Sequence, residues 1–217
     1  MDFAAARYLM VQHQIRTNRV TDPTVIAAMS ELPRERFVPE ELRGIAYIDE
    51  DIPLGGGRFL AEPLVTALLL QAAQVDSDDV VLNIGCGPGY AAAILSRMAS
   101  AVVALESDAA LAEKATAILA ELELSTASVV VGPLRQGCPA QAPYDAIIFD
   151  GAIASVPPAI VDQLADGGRI VAVIGEEKGL GCGTLLLRED GVLSGRRLFD
   201  AATPWLPDFL PEPTFHF

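Results

Sequence analysis

Residues 80–90 constrain the fold of this chain more than any other stretch, because a short apolar run there passes directly into a glycine-rich turn. The first five residues are mostly β-branched or large and apolar, which predicts a strand buried on both faces. Gly85, Gly87 and Gly89 follow, and residues 90–98 have a helix-forming composition. Glycine permits unusual backbone angles and a close approach of the backbone to a ligand. A strand, a glycine turn and a helix in this order predict a site where main-chain amides face a bound molecule.

A second apolar run, at 101–105, ends in Glu106. A carboxylate at the tip of the second strand of such a unit can accept hydrogen bonds from both ribose hydroxyls of a nucleoside. Asp150 ends a later run at the same predicted sheet edge, where it would be either a site residue or a loop cap. The glycine spacing is G-x-G-x-G, whereas the dinucleotide fingerprint places its third glycine one residue later. The unit therefore looks like the first motif of S-adenosylmethionine (SAM)-dependent methyltransferases, and we expect SAM as the cofactor.

The composition limits the kinds of partner and the location. The net charge is −14 at pH 7, and Lys and Arg form no stripe, which argues against a nucleic-acid surface. The apolar runs are shorter than the ~20 residues that a membrane span needs. No basic segment precedes an apolar one at the N-terminus, as it would in a signal peptide. We therefore expect a cytoplasmic protein that binds neither nucleic acid nor membranes.

The cysteines and histidines give no sign of a disulfide framework or a metal centre. Cys86, Cys138 and Cys182 are far apart and lack C-x-x-C spacing, and their number is odd. This pattern indicates a reducing compartment rather than disulfides or a zinc site. The two histidines, His13 and His216, lie at opposite ends of the chain, so we expect no metal.

From residue 80 onward, apolar runs alternate with helical patterns, which is typical of a parallel sheet with helices on both faces. The predicted strands lie at 80–85, 101–106, 128–131, 145–150 and 168–174, and the predicted helices at 90–98, 108–121 and 157–165. Runs at 183–188 and 192–199 flank a turn at 189–191 and predict an antiparallel hairpin. The predicted fold class is α/β: a Rossmann-like, mainly parallel seven-stranded sheet that ends in an antiparallel hairpin.

The part of the chain before residue 76 is predicted to be mainly helical. Helices are expected at 3–17, from Asp22 and Pro23 to Ser30, and at 64–74, with a glycine-rich loop at 51–63. We therefore predict two regions: an N-terminal helical extension with the substrate loop at 1–75, and a cofactor-binding core at 76–217. The tail from Thr203 is rich in proline and aromatic residues and is expected to pack across the surface.

Several short motifs extend over nearly the whole chain. They are Met10-Val-Gln-His-Gln-Ile-Arg16, Leu32-Pro-Arg34, Arg36-Phe-Val-Pro39, Asp51-Ile-Pro-Leu-Gly55, Ile84-Gly-Cys-Gly-Pro-Gly-Tyr90, Ala142-Pro-Tyr-Asp-Ala-Ile-Ile148 and Gly167-Gly-Arg-Ile-Val171. In this order and spacing they resemble the protein-L-isoaspartate O-methyltransferase family. The resemblance implies an enzyme that repairs damaged asparaginyl and aspartyl sites by methylating the abnormal α-carboxyl group with SAM. Its partners would be damaged peptides or proteins that bear isoaspartate.

The chain departs from the family pattern at three places. The family's substrate loop carries two hydroxyls in a T-x-S-x-P pattern, where this chain has Phe59 and Ala61. The family's cofactor turn begins with an acid, where this chain has Asn83. The family's Gly-Asp-Gly near the adenine is replaced by Gly132-Pro133-Leu134, and proline lacks an amide hydrogen that an adenine nitrogen could use.

These departures are expected to slow the reaction without excluding it. An acceptor carboxylate, with a pKa of about 4, is already ionised at neutral pH, so no general base is required. Catalysis would rest on alignment, which can contribute roughly 7–11 kcal/mol. Each lost hydrogen bond to the charged acceptor removes about 1.5–3 kcal/mol, which is roughly ten- to a hundredfold in rate. Glu62 would repel an anionic acceptor unless Arg58 neutralises it.

Two alternative functions stay open. One is SAM-dependent methyl transfer to a different small acceptor, such as a phenol, with Glu62 or Asp150 as the base. The other is a catalytically impaired SAM-binding or interaction module, since fold alone does not decide function. The predicted substrate-loop residues are Ala61, Arg58 and Glu62. The predicted cofactor-binding residues are Asn83, Gly85, Cys86, Gly87, Gly89, Tyr90, Glu106, Ser107, Pro133, Leu134 and Asp150.

Overall fold

A computed structural model describes residues 1–175 and 180–210 of the chain. Its α-helices are α1 (Phe3–Met10), α2 (Pro23–Glu31), α3 (Pro63–Ala73), α4 (Tyr90–Leu95), α5 (Ala109–Glu121) and α6 (Pro158–Val161). The helix predicted at 3–17 begins as α1 and continues as a π-helical turn and a 3₁₀ turn to Asn18. In the described residues, no helix is both long and apolar enough to cross a membrane.

Seven strands form the main sheet: β3 (Val80–Ile84), β4 (Ala101–Glu106), β5 (Ala127–Val131), β6 (Tyr144–Ile153), β7 (Leu164–Gly175), β8 (Gly181–Glu189) and β9 (Val192–Ala201). Their spatial order is β5-β4-β3-β6-β7-β8-β9. The strands from β3 to β7 pair in parallel, and β8 pairs antiparallel with both β7 and β9. The predicted Rossmann-like sheet with a closing antiparallel hairpin is therefore confirmed.

Side chains of successive strand residues point to opposite faces of the sheet and so belong to two separate cores. Val81 on β3 belongs to the core that the N-terminal helices and α3 cover, together with Met29 and Leu70. Leu82, the next residue, belongs to the core on the other face, which also holds Phe209 of the tail. The N-terminal extension thus shares a hydrophobic core with the sheet; its predicted boundary at residue 75 stays a prediction.

Two segments differ from the sequence prediction. The predicted loop at 51–63 contains a small antiparallel hairpin, β1 (Ile52–Gly55) and β2 (Arg58–Leu60). Its turn residues Gly56 and Gly57 have φ angles of +58° and +76°, which glycine adopts without steric cost. The helix predicted at 157–165 is only the short α6, because β7 already begins at Leu164 and pairs there with Tyr144.

The described part of the tail, up to residue 210, packs along the end of β6. Leu206 N donates to Ala152 O at 2.9 Å, and Ala152 N donates to Pro204 O at the same distance. Phe209 is fully buried and meets Phe149 edge to face. The predicted packing of the tail is therefore confirmed as far as residue 210, while Phe215 and Phe217 lie outside the described residues.

Candidate cofactor and acceptor site

The glycine turn after β3 has the backbone geometry that its composition predicted. Gly85, Gly87 and Gly89 have φ angles of +74°, +54° and +96°, in the left-handed region that favours glycine. Gly85 N and Cys86 N donate to Leu105 O at 2.8 and 3.2 Å, which ties the turn to β4. Gly89 is the N-terminal cap of α4. The turn therefore lies at the carboxyl edge of the parallel strands, where ligands of α/β proteins bind.

Glu106, at the end of β4, is fully buried and lies directly beside this turn. Its Oε2 accepts a hydrogen bond from Gly87 N at 2.7 Å. Its Oε1 accepts from Ser107 N at 2.8 Å and from Asp108 N at 3.0 Å. The carboxylate is thus placed where the sequence predicted a ribose acceptor, and backbone amides hold it in position.

Arg58 occupies the remaining side of this carboxylate. Its Nη1 forms an ion pair with Glu106 Oε1, and its Nη2 donates to Gly85 O at 2.8 Å. Within β2, Arg58 and Leu60 point inward while Phe59 points to solvent, so a guanidinium that is 6% exposed needs a buried anion. In this structure the ion-pair partner of Arg58 is Glu106, so the condition under which Glu62 would not repel an anionic acceptor is not met here.

The side chain of Leu206, in the tail, packs against Gly85 and Gly151 at the glycine turn. A Cβ atom added to Gly85 would lie 2.8 Å from Leu206 Cδ2 and 3.1 Å from Arg58 Nη2. A Cβ on Gly151 would lie 2.7 Å from Leu206 Cγ. The cavity that remains between the glycine turn and the substrate loop measures about 10 Å³, roughly the room of one water molecule. A drug-sized ligand usually needs about 300–1,000 Å³.

A buried arginine, Arg34, fixes the backbone of the substrate loop, although its sequence context did not identify it as a site residue. Arg34 donates from Nη2 to Ala61 O and from Nε to Ala46 O, both at 2.7 Å. Its guanidinium lies 4.7 Å from the centre of the Tyr90 ring. Ala61 itself is partly buried and lines the cavity. The position of the loop backbone thus depends on Arg34, whose role could only be seen once the fold was known.

Glu62 caps the start of α3 beside two other acids. Burial, followed by the charges of Asp49 and Asp51, raises the pKa of Glu62 to about 7. Glu62 N donates to Asp51 Oδ1 at 3.0 Å, and Thr66 Oγ1 donates to Glu62 O at 3.2 Å. Thr66 also lines the cavity, so a hydroxyl-bearing residue lies there that the sequence motifs do not identify.

Asp150 lines the same cavity from the other side. Burial is the main cause that raises the pKa of Asp150 to about 7; the Asn83 side chain and the Arg58 charge act in the opposite direction, and the Glu106 charge adds to the rise. Asn83 is fully buried on β3, and its side-chain amide lies near Asp150 but makes no hydrogen bond of ordinary geometry within the described residues. The structure therefore places Asp150 close to the glycine turn, Ala61 and Arg58, and their roles in binding stay predictions.

Of the other predicted cofactor residues, Cys86 and Tyr90 also line the cavity beside the glycine turn. Burial raises the pKa of Cys86 well above its usual value, so this residue is a neutral thiol. Tyr90 is fully buried and packs against Phe37, with 5.3 Å between the ring centres. Leu134 is buried in the core under the other face of the sheet, next to Pro133 at the start of a 3₁₀ turn. Contacts of these residues with a cofactor remain a prediction.

The fold and the site define a Rossmann-like methyltransferase architecture. A solved structure of a protein-L-isoaspartate O-methyltransferase has a TM-score of 0.78 at 25% identity and covers 93% of this chain and 65% of that chain. A second, from Plasmodium falciparum and in complex with S-adenosyl-L-homocysteine, has a TM-score of 0.79 at 18% identity. It covers 96% of this chain and 99% of that chain.

The sequence comparisons identify the family. The family described as protein-L-isoaspartate(D-aspartate) O-methyltransferase matches residues 6–196. Protein-L-isoaspartate O-methyltransferase 1 of Rhodopseudomonas palustris (strain HaA2) is 42% identical over 176 residues, which are 81% of this chain and 72% of that protein. The protein-L-isoaspartate O-methyltransferase of Roseiflexus sp. (strain RS-1) is 42% identical over 179 residues, 81% of this chain and 80% of that protein. The chain belongs to this family, and the predicted methyltransferase function is confirmed at that level.

Proposed function

We propose that this chain transfers a methyl group from SAM to the free carboxylate of isoaspartyl residues in damaged peptides or proteins. The observation that carries the proposal is the buried Glu106 carboxylate, held beside the glycine turn at the carboxyl edge of the sheet. This is the arrangement that binds the ribose of a nucleoside in α/β folds. We also propose a cytoplasmic location, because the three free thiols would stay reduced there.

The donor set of the site fits a nucleoside cofactor, provided that Arg58 moves away from Glu106. Gly85 and Gly87 have no side chain between the backbone and a ligand, and Glu106 supplies acceptors for ribose hydroxyls. The side-chain amide of Asn83, which makes no hydrogen bond of ordinary geometry within the described residues, lies fully buried on the strand that leads into the turn. When bound, SAM supplies an activated methyl group; the protein supplies the position.

The acceptor would enter on the side of Ala61 and Glu62. An isoaspartyl carboxylate is ionised at neutral pH and needs no base, so alignment of its oxygen is the main task of the protein. Thr66 lines the cavity beside Ala61, and its hydroxyl, which here donates to Glu62 O, would have to turn toward the acceptor to replace a missing loop hydroxyl. We propose that Arg58, once it leaves Glu106, contributes positive charge to this side of the site.

Two carboxyl groups at this site are expected to make the reaction sensitive to pH. Glu62 and Asp150 both have a pKa of about 7 and are therefore mostly protonated below pH 6. Above pH 8 both are ionised and repel an anionic acceptor. We therefore expect the KM for the acceptor to rise between pH 6 and pH 8.

The direct test compares methyl transfer to two peptides that differ only in one linkage. A peptide with isoaspartate and the same peptide with normal aspartate are incubated with the purified chain and SAM labelled in its methyl group. We expect base-labile label on the isoaspartyl peptide alone. The variant Glu106→Gln, which keeps the shape of the side chain and removes its charge, is expected to lower both SAM binding and labelling.

A different outcome would identify an alternative. Binding of SAM with no label on the isoaspartyl peptide would contradict the proposed acceptor and favour methyl transfer to another small molecule. Equal labelling of both peptides would contradict specificity for isoaspartate.

A further inference from the structure

Glu106 already accepts four hydrogen bonds in this structure, three at Oε1 and one at Oε2. An ionised carboxylate offers about four lone-pair positions. The amides of Gly87, Ser107 and Asp108 and the guanidinium of Arg58 supply four donors to them. The three amides belong to the backbone of the turn and of the strand end, so they are fixed by the fold. Arg58 is the one side chain in this set, and its departure uncovers the carboxylate, whose Oε2 has one further lone-pair position for a ribose hydroxyl.

The same guanidinium also fills space that a nucleoside would need. Arg58 Nη2 donates to Gly85 O at 2.8 Å and lies against the face of that glycine. Leu206 covers the other part of this face and reaches across to Gly151. Around the turn the described residues leave small cavities of about 10 Å³ each, and Arg58 and Leu206 line one of them together with Asp150.

We propose that the cofactor site is self-occluded: the Arg58 guanidinium competes with the ribose for Glu106, and the Leu206 side chain, called the roof below, covers the glycine turn. This inference rests on the proposed function, because it concerns the binding of SAM to the same site. SAM binds when Arg58 releases Glu106 and the segment around Leu206 shifts. The apparent affinity is then lower than that of the open site by the fraction of molecules that are open.

The parts that must move are attached to small elements. Arg58 lies on β2, which has three residues and pairs only with the four-residue β1. Ile52 and Leu60 anchor this hairpin in the core that it shares with the sheet, so we expect the Arg58 side chain to move while the hairpin stays in place. Leu206 lies in a segment that pairs with β6 through the two main-chain hydrogen bonds between Leu206, Ala152 and Pro204.

The test is the affinity for SAM of Arg58→Ala and of a matched control, Arg169→Ala. Arg169 forms an ion pair with Asp79 at the opposite edge of the sheet, so its loss removes an arginine without opening the cofactor site. We expect the Kd for SAM, measured by calorimetry, to fall at least tenfold in Arg58→Ala and to stay within twofold of wild type in Arg169→Ala. Arg58→Lys, which keeps the charge and loses the second donor contact, is expected to lie between wild type and Arg58→Ala.

Thermal unfolding separates competition from simple support of the fold. We expect both alanine variants to melt at a lower temperature than wild type without ligand. Only Arg58→Ala should show a larger rise in melting temperature with SAM than wild type, because tighter binding to the folded state gives more stabilisation.

Trp205, the single tryptophan of the chain, reports on the roof because it precedes Leu206. We expect its fluorescence in the wild-type protein to change as SAM saturates the site. Saturation with no change would contradict movement of the roof.

The outcomes for this inference and for the proposed function are distinguishable. If the wild type methylates isoaspartyl peptide and Arg58→Ala binds SAM no tighter, self-occlusion is wrong and the function stands. If neither protein binds SAM at millimolar concentration, removal of Arg58 has not opened the site, and both proposals are wrong.

Discussion

The protein has two arginine–carboxylate pairs at opposite edges of the same sheet, and their surroundings differ. Arg169 pairs with Asp79 at the amino ends of the strands, where the two side chains are 14% and 13% exposed. Arg58 pairs with Glu106 at the carboxyl ends, where they are 6% and 0% exposed. Arg169 also donates to backbone carbonyls, among them Gln74 O at 2.6 Å, and so joins the end of α3 to the sheet.

The same kind of ion pair therefore has a different effect at each edge of the sheet. The amino-end pair lies where no ligand is expected, and it stabilises the junction of two elements. The carboxyl-end pair lies at the topological position where α/β proteins bind ligands. A charge pair that fills a ligand position stabilises the fold but must be broken before a ligand binds. The free energy of unfolding and the affinity for the ligand therefore oppose each other there.

The largest expected effect is a difference in the free energy of unfolding between variants that lack the carboxylate at one edge or at the other. Glu106→Ala leaves the Arg58 guanidinium buried without its anion, which costs about 3–5 kcal/mol of unfolding free energy. Asp79→Ala leaves Arg169 with its carbonyl partners and some solvent, and the expected cost is about 1 kcal/mol. Denaturant unfolding of the two variants and the wild type measures both values.

Equal losses in the two variants would contradict the difference in burial on which the comparison depends. The double variant Arg58→Met/Glu106→Leu is a further control, since it removes both charges and keeps the volume. We expect it to recover only part of the stability that Glu106→Ala loses, because it removes the unpaired buried guanidinium but leaves the amides of Gly87, Ser107 and Asp108 without their acceptor.

A hydroxyl returned to the substrate loop should change the rate more than the stability. Ala61→Ser places a donor in the cavity where the acceptor carboxylate is proposed to bind. One hydrogen bond to a charged group contributes about 1.5–3 kcal/mol, so we expect kcat/KM for isoaspartyl peptide to rise roughly ten- to a hundredfold. Ala110→Ser, on the exposed side of α5, is the matched control and should leave the rate unchanged. A gain below twofold in Ala61→Ser would contradict the proposed position of the acceptor.

The sequence predicted the sheet, its hairpin and the glycine turn because each of these depends on local pattern. Apolar runs at fixed intervals specify parallel strands, and three alternate glycines specify a turn with positive φ angles. Glu106 was also found in this way, since its position follows directly from the end of β4.

Other features depend on contacts between distant residues and could not be read from local pattern. Arg58 and Glu106 are 48 residues apart, and Arg34 reaches Ala61 across 27 residues. Nothing in the loop sequence distinguishes an arginine that pairs with the adjacent Glu62 from one that turns inward. The short β2, which turns Arg58 inward and Phe59 outward, decides between the two, and a three-residue strand gives too weak a sequence signal to predict.

The smallest expected effect is a pH-dependent change in the free energy of unfolding that Glu62 causes. Its pKa is raised from about 4.3 in the unfolded chain to about 7 in the folded one. The folded state therefore binds the proton more tightly, and stability decreases as the pH rises through this interval. Because Glu62 is partly exposed, solvent screening reduces the cost of its ionised form to about 1 kcal/mol. We expect Glu62→Gln to match wild type at pH 5 and to exceed it by about this amount at pH 8, in urea unfolding at both pH values. Glu113→Gln, at an exposed position on α5, should show no such gain, and a Glu62→Gln variant that is no more stable at pH 8 would show that Glu62 is already well solvated.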